Sequence, residues 1–185
     1  SYATGSDRGL EATPLVIDGV FYATASWSIV FALDAKTGRE IWRHDPKVPG
    51  WKARHACCGV VNRGVAHQDG RIYVGTIDGR LIALDAKNGA LIWSVQTTNP
   101  GLPLTITAAP RIVKNLVLIG NGGAEFGVRG YFSAYDTRTG KLVWRFYTVP
   151  ASKAGPHEHP ELIAAAKTWS KDSMWEAGLG GTVGD

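Results

Sequence analysis

The stretches FALDAKTGREIW (residues 31–42), IALDAKNGALIW (82–93) and SAYDTRTGKLVW (133–144) decide the fold, because they are one motif written three times. Trp42, Trp93 and Trp144 close the copies at intervals of 51 residues. Each copy carries A-x-D-x-x-x-G-x-x-x-W: Ala32, Asp34, Gly38 and Trp42, then Ala83, Asp85, Gly89 and Trp93, then Ala134, Asp136, Gly140 and Trp144. A short apolar strand runs into the Asp, a tight turn follows whose Gly accepts positive φ, and a second strand runs to the Trp; that is a β-hairpin. The Asp carboxylate is suited to accept hydrogen bonds from the turn amides. The Trp is suited to lie flat across a neighbouring unit, its indole N–H finding an acceptor there. A further hairpin element precedes each motif, DGVFYATAS from Asp18, DGRIYVGTI from Asp69 and KNLVLIGNG from Lys114, so each repeat supplies about four strands.

Four strands per repeat of ~50 residues mark a β-propeller, in which no blade buries its faces alone and blades pack around a central axis. The expected fold is therefore all-β, with blades of four antiparallel strands, as one partial propeller domain over residues 1–185. Closed rings take ~4–8 blades, so three clear units and a C-terminal piece are expected to form an arc of about three to four blades. A complete four-bladed ring is the weaker alternative, because no fourth motif follows Trp144. Ser1 opens without an initiator Met or signal peptide, and GLGGTVGD ends without a closing strand; both lead to the expectation of a piece of a longer chain. Residues 149–170 interrupt the pattern, with a Pro-rich loop (VPASKAGPHEHP, 149–160) and a segment of helical composition (ELIAAAKTW, 161–169).

Composition agrees with this reading. Of 185 residues 44% are hydrophobic and 19% charged, which excludes intrinsic disorder. Twenty-three Gly and seven Trp against a single Met suit a turn-rich β protein. The net charge of +4 comes from scattered Lys and Arg, which argues against a nucleic-acid footprint. No run approaches the ~18 apolar residues of a membrane helix. No GxSxG, P-loop or GxGxxG is present, so hydrolase, nucleotide-triphosphatase and Rossmann readings lack support.

Function in propellers sits on loops, so departures from the repeat carry more information than its matches. The first departure follows Trp42, where RHDPKVPGWKARHACCGVVNRG contains the adjacent Cys57 and Cys58. One reading is two buried thiols acting as small hydrophobes. The other is a disulfide between neighbours, strained because a trans peptide holds the Cα atoms ~3.8 Å apart, and stable only in an oxidising compartment. The second departure is GNGGAEFGVRGY in the third repeat: Lys114 to Asp136 spans 22 residues where Asp69 to Asp85 spans 16. Glu125 lies among its glycines as a hard oxygen ligand suited to Ca²⁺ or Mg²⁺, or simply as a solvated loop residue. His157-Glu158-His159 is expected to be a solvated turn and not a metal cluster.

Together the A-x-D-x-x-x-G-x-x-x-W repeats, CCGVVNRG and GNGGAEFGVRGY resemble the pyrroloquinoline quinone (PQQ) dependent alcohol dehydrogenases, particularly the quinohemoprotein type. The resemblance spans essentially the whole chain. It implies an eight-bladed propeller with PQQ in the central channel, of which this chain would be an N-terminal part. Cys57 and Cys58 would form the disulfide lid over the cofactor, with Val61 and Arg63 contacting PQQ behind it. Glu11 would hydrogen-bond the cofactor, and Thr107 would bind one of its carboxylates. Gly122, Gly123 and Ala124 would line it, Glu125 would ligate Ca²⁺, and Thr182 would match the Thr of the family's G-T-x-W-D segment. Gly184 stands where that segment places its stacking Trp.

The chemistry so implied is oxidation of a small alcohol to an aldehyde. Ca²⁺ polarises the quinone carbonyl, an Asp removes the hydroxyl proton and hydride passes to PQQ. The Asp base and an Asn ligand are expected beyond Asp185, so no catalytic residue is assigned here. An electron acceptor such as a cytochrome c, a heme c in a further C-terminal domain and a periplasmic location complete the expectation. The alternative is a non-enzymatic propeller of the same repeat type acting as a protein-interaction scaffold, which would need neither the adjacent cysteines nor Glu125.

Overall fold

The structure is a computed structural model that describes residues 2–151 and 155–170. Three four-stranded antiparallel sheets follow one another in chain order. The first is β1 (Leu15–Ile17), β2 (Val20–Thr24), β3 (Val30–Asp34) and β4 (Glu40–His44); the second is β5 (Ala66–Gln68), β6 (Arg71–Gly75), β7 (Arg80–Asp85) and β8 (Leu91–Gln96). The third is β9 (Arg111–Val113), β10 (Leu116–Gly120), β11 (Tyr131–Asp136) and β12 (Leu142–Tyr147).

Each motif Asp organises its turn as its position suggests. Asp34 Oδ1 accepts from the amides of Lys36 (3.0 Å) and Thr37 (2.7 Å), Asp85 Oδ1 from Lys87 (2.8 Å) and Asn88 (3.2 Å), and Asp136 Oδ1 from Arg138 (3.1 Å) and Thr139 (2.9 Å). The Thr37 and Thr139 hydroxyls add a further bond each, and these bonds hold the Asp34 and Asp136 carboxyls below the ordinary Asp range. The motif Ala has a packing role. Ala32 pairs with Tyr22 on one side and Trp42 on the other, and Ala83 likewise with Tyr73 and Trp93. The small residue lets the two large rings meet, at 5.9 Å and 5.8 Å between centroids. A register shift follows each of these alanines, as it does Ala134, so the bulge is part of the repeat.

The cores lie between sheets and not inside them. Tyr22, Val30, Ala32 and Trp42 of the first sheet pack on Ile72, Val74, Ile82 and Leu84 of the second and on Val65 just before it. Tyr73, Leu81 and Ala83 of the second pack on Val117, Ile119 and Tyr135 of the third and on Ile106 of the connection before it. Both faces of the central strands are covered, which is why β3 and β7 read as unbroken apolar runs.

Topology sets where function can sit. In a four-stranded meander the second-to-third-strand loops and the connections to the next sheet fall at one end, and the two hairpin turns at the other. The 45–65, 97–110 and 121–130 segments therefore share an end, opposite the Asp-Gly turns of the motif. Residues 158 and 159, just before the helix α1 (Pro160–Lys167), are anchored on the third sheet and its inserted loop. Arg129 donates to both Glu158 carboxylate oxygens (2.6 and 2.8 Å), and the His159 ring stacks on Phe146 at 4.4 Å. His157-Glu158-His159 is thus an ion-paired, ring-stacked anchor and not the solvated turn expected from its Pro-flanked sequence. Its partners lie in the inserted loop and in β12, out of reach of local reading.

Candidate functional site: a cationic cavity at Arg63

Arg63 is the centre of the site, and backbone bonds place it. Its N–H donates to the Thr107 carbonyl (2.8 Å), and its own carbonyl accepts from the Thr13 amide (3.2 Å). Its guanidinium donates to the Thr107 hydroxyl (2.5 Å) and lies 3.3 Å from the Glu11 carboxylate. Asn62 locks the preceding turn: buried, it donates to the Gly75 carbonyl (2.8 Å) and the Ser28 hydroxyl (3.2 Å) and accepts from the Gly64 amide (3.0 Å). Gly64 must be glycine, because φ is +125° and a Cβ would stand 2.8 Å from the Thr13 carbonyl oxygen.

Glu11, Thr13, Arg63, Val65, Ala109 and Arg111 are among the residues lining a cavity of about 340 Å³. Two guanidinium groups against one carboxylate make its wall cationic, with planar donor forks that suit carboxylate ligands. Arg111 was not anticipated; the only signal was a charged residue opening an inner strand directly after TITAAP. Asn62 was also missed, although it lies between Val61 and Arg63. Val61 itself is half-buried and is not part of the cavity wall.

Cys57 and Cys58 follow a 3-10 turn (Gly50–His55), both exposed, with their sulfurs 2.7 Å apart. They are not the buried apolar thiols of the first reading. The loop of Gly122, Gly123, Ala124 and Glu125 is joined to the 97–110 segment through paired bonds between Thr105 and Gly122 (3.3 and 2.8 Å). Gly123, at φ +118°, passes the Pro103 carbonyl so closely that a Cβ would stand 2.5 Å from its oxygen. Buried Asn121 accepts from the Tyr131 amide (3.0 Å), which fixes the loop's start. Ala124–Phe126 form a 3-10 turn that leaves Glu125 exposed.

The two inserted loops touch at His55 and Phe126, whose rings are 5.8 Å apart, with Trp51 against His55 on the other side. Burial, helped by the nearby Lys52 and Arg54 charges, lowers the His55 pKa. No group of three or more His, Cys, Asp or Glu side chains suited to a metal occurs among the described residues, so Glu125 offers one ligand of an incomplete set. Thr182 and Gly184 lie outside the described residues.

The family model described as "Glucose/ethanol/alcohol dehydrogenase, beta-propeller domain" (PQQ) matches residues 2–178. The quinohemoprotein alcohol dehydrogenase ADH IIB of Pseudomonas putida is 64% identical over 178 residues, which is 96% of this chain and 26% of that protein. The crystal structure of the quinohemoprotein alcohol dehydrogenase of Comamonas testosteroni superposes with a TM-score of 0.87 at 50% identity, covering 94% of this chain and 26% of that one. A europium-containing methanol dehydrogenase superposes with a TM-score of 0.76 at 40% identity, covering 81% and 27%. The chain spans about a quarter of the length of the curated relatives it matches.

Proposed function

The chain belongs to the PQQ family of glucose/ethanol/alcohol dehydrogenase β-propeller domains, and on that premise we propose that it is part of a longer quinoprotein alcohol dehydrogenase that holds PQQ at the Arg63 cluster. The observation that carries this reading is the convergence of Arg63, Arg111 and Glu11 on one cavity, with the buried Thr107 hydroxyl bonded to the Arg63 guanidinium. PQQ is a flat quinone bearing several carboxylates, and a cationic wall with a buried hydroxyl fits such a group. The scaffold alternative gives no account of two arginines facing an open cavity.

When bound, PQQ supplies the electron acceptor that turns an alcohol into an aldehyde. This chain's residues bind and orient. The Arg63 and Arg111 forks and the Thr107 hydroxyl beside Arg63 would hold the cofactor's carboxylates, and Glu11 keeps Arg63 in its rotamer. The exposed Cys57-Cys58 turn, closed as a disulfide, would serve as a lid that keeps water from the bound cofactor. Glu125 contributes one oxygen to a metal ion, taken here to be Ca²⁺; the base that receives the alcohol proton comes from elsewhere in the enzyme. A persistent disulfide needs an oxidising compartment, so the protein is placed in the periplasm, where a cytochrome c or a fused heme c is the electron acceptor.

Titration of the full-length apo-enzyme with PQQ tests the reading. The expected result is tight PQQ uptake, alcohol-dependent dye reduction that requires PQQ and Ca²⁺, and a dissociation constant raised at least about tenfold by Arg63→Ala. Alcohol oxidation without PQQ, or PQQ uptake indifferent to Arg63→Ala, would overturn it. Replacing Ca²⁺ by a lanthanide in the same assay identifies the metal.

A further inference from the structure

Lys52 is a charged side chain with 1% of its surface exposed, a state that a lysine reaches only when something receives its protons. Its Nζ lies 3.4 Å from the Leu104 carbonyl oxygen and 3.5 Å from that of Leu102, and 5.1 Å from the centre of the Trp51 ring. Burial lowers its pKa, opposed by the charge of Asp78. The bonds to Leu102 and Leu104 join different connections. Lys52 belongs to the segment that ends in Cys57 and Cys58, whereas Leu102 and Leu104 lead to Thr107.

The 102–105 segment is held from two sides. Pro103 and Thr105 face the inserted loop, through the close approach at Gly123 and the paired bonds to Gly122. The carbonyls of Leu102 and Leu104 face Lys52. Beside the Arg63–Thr107 bonds, the Lys52 ammonium is thus a further polar link between the cysteine segment and the segment that carries Thr107 and braces the Glu125 loop. It lies outside both inter-sheet cores, so the sheets do not depend on it.

We propose that Lys52 is a positioning residue for the cofactor site: its ammonium ties the Cys57-Cys58 turn to the 102–107 segment and so holds lid, carboxylate-binding hydroxyl and metal-ligand loop in one geometry. This rests on the reading that the cavity takes PQQ.

The test uses the full-length enzyme. Lys52→Met keeps the length of the stem and removes the donors. It is expected to raise the PQQ dissociation constant about tenfold, the loss of one charge-assisted hydrogen bond. After reduction, alkylation of the Cys57 and Cys58 thiols is expected to accelerate several-fold, and Lys52→Arg, which restores a cation, to recover part of both. PQQ affinity and alkylation rate unchanged in Lys52→Met overturn the proposal, even if the melting temperature falls. Should Lys52→Met not fold, hydrogen exchange on the unsubstituted enzyme decides: PQQ is expected to protect residues 52–58 and 102–107 together, and protection of one without the other overturns it. If the unsubstituted enzyme takes up no PQQ, the functional reading itself fails, a result distinct from a normal enzyme with a silent Lys52→Met.

Discussion

The indole of Trp42 lies against Gly89, the turn glycine of the following repeat, so closely that a Cβ on Gly89 would stand 2.6 Å from the ring. Trp93 meets Gly140 in the same way, at 2.9 Å. The Gly and the Trp of the motif therefore serve each other across neighbouring sheets and not within one hairpin. The indole N–H completes the dock, Trp42 donating to the Ala86 carbonyl (2.9 Å) and Trp93 to that of Thr137 (3.2 Å). Trp144, with no following repeat among the described residues, is 38% exposed against 7% for Trp42.

Gly89→Ala is expected to destabilise the protein by about 2–4 kcal/mol, the sum of a left-handed backbone cost and overpacking against the indole. Gly70→Ala, at a similar φ of +69° but with nothing within 4 Å of the new Cβ, is expected to cost only about 1 kcal/mol. Urea unfolding compares the two. In a Trp42→Ala background the excess cost of Gly89→Ala should vanish; a fully additive double mutant would refute the contact.

Tyr22 and Trp42 both donate to the Ala86 carbonyl, at 3.0 and 2.9 Å. Tyr22→Phe leaves that oxygen one donor and should cost no more than about 1 kcal/mol. Trp42→Phe removes the N–H and part of the ring face and should cost more. Equal losses in denaturant unfolding would mean that the two donors do not share the role described.

The Arg129 guanidinium holds the Glu158 carboxyl down to about 2, well below the ordinary Glu range. A depressed folded pKa gives a stabilisation that is complete above the unfolded value near ~4.3 and is lost as pH falls toward about 2. With 38% of the Glu158 side chain exposed, solvent limits the effect to about 1 kcal/mol. Protection of α1 amides, corrected for intrinsic exchange, should drop between about pH 5 and about pH 2.5. Arg129→Leu should remove that step, and a step that survives it would assign the transition to another group.

Thr107→Val removes the acceptor of the Arg63 guanidinium and the hydroxyl from the proposed carboxylate site while nearly conserving shape. PQQ affinity of the full-length enzyme should fall about tenfold with little change in melting temperature. A melting-temperature loss with unaltered affinity would make the hydroxyl a folding residue only.

Non-reduced mass spectrometry of protein purified under oxidising conditions should show Cys57 and Cys58 lacking their two thiol hydrogens. Both thiols intact and alkylatable would remove the disulfide from the proposed lid.

Much of the molecule is legible along the chain because its determinants are close in sequence. Asp34, Asp85 and Asp136 bond amides two and three residues ahead, so the motif displays the turn directly. The strands on either side follow from the short apolar runs before the Asp and up to the Trp. The two interruptions, around Cys57 and Glu125, mark the functional end because meander topology sends both to the same side. The partners of Glu158 and His159 were misjudged, since Arg129 and Phe146 lie 29 and 13 positions away with no local signature.

By itself, then, the sequence determined the repeating four-stranded unit, its turns and the chain positions of the candidate site. Tertiary structure alone decided that Gly89 makes room for Trp42, that Arg111 joins Arg63 at one cavity, and that Lys52 is buried against the carbonyls of Leu102 and Leu104. The reason is the range of the interactions. Hairpins are closed by hydrogen bonds over a few residues, which a motif records. The site is assembled by stacking sheets whose contacting residues are some tens of positions apart, and only the stacked geometry shows which of them meet.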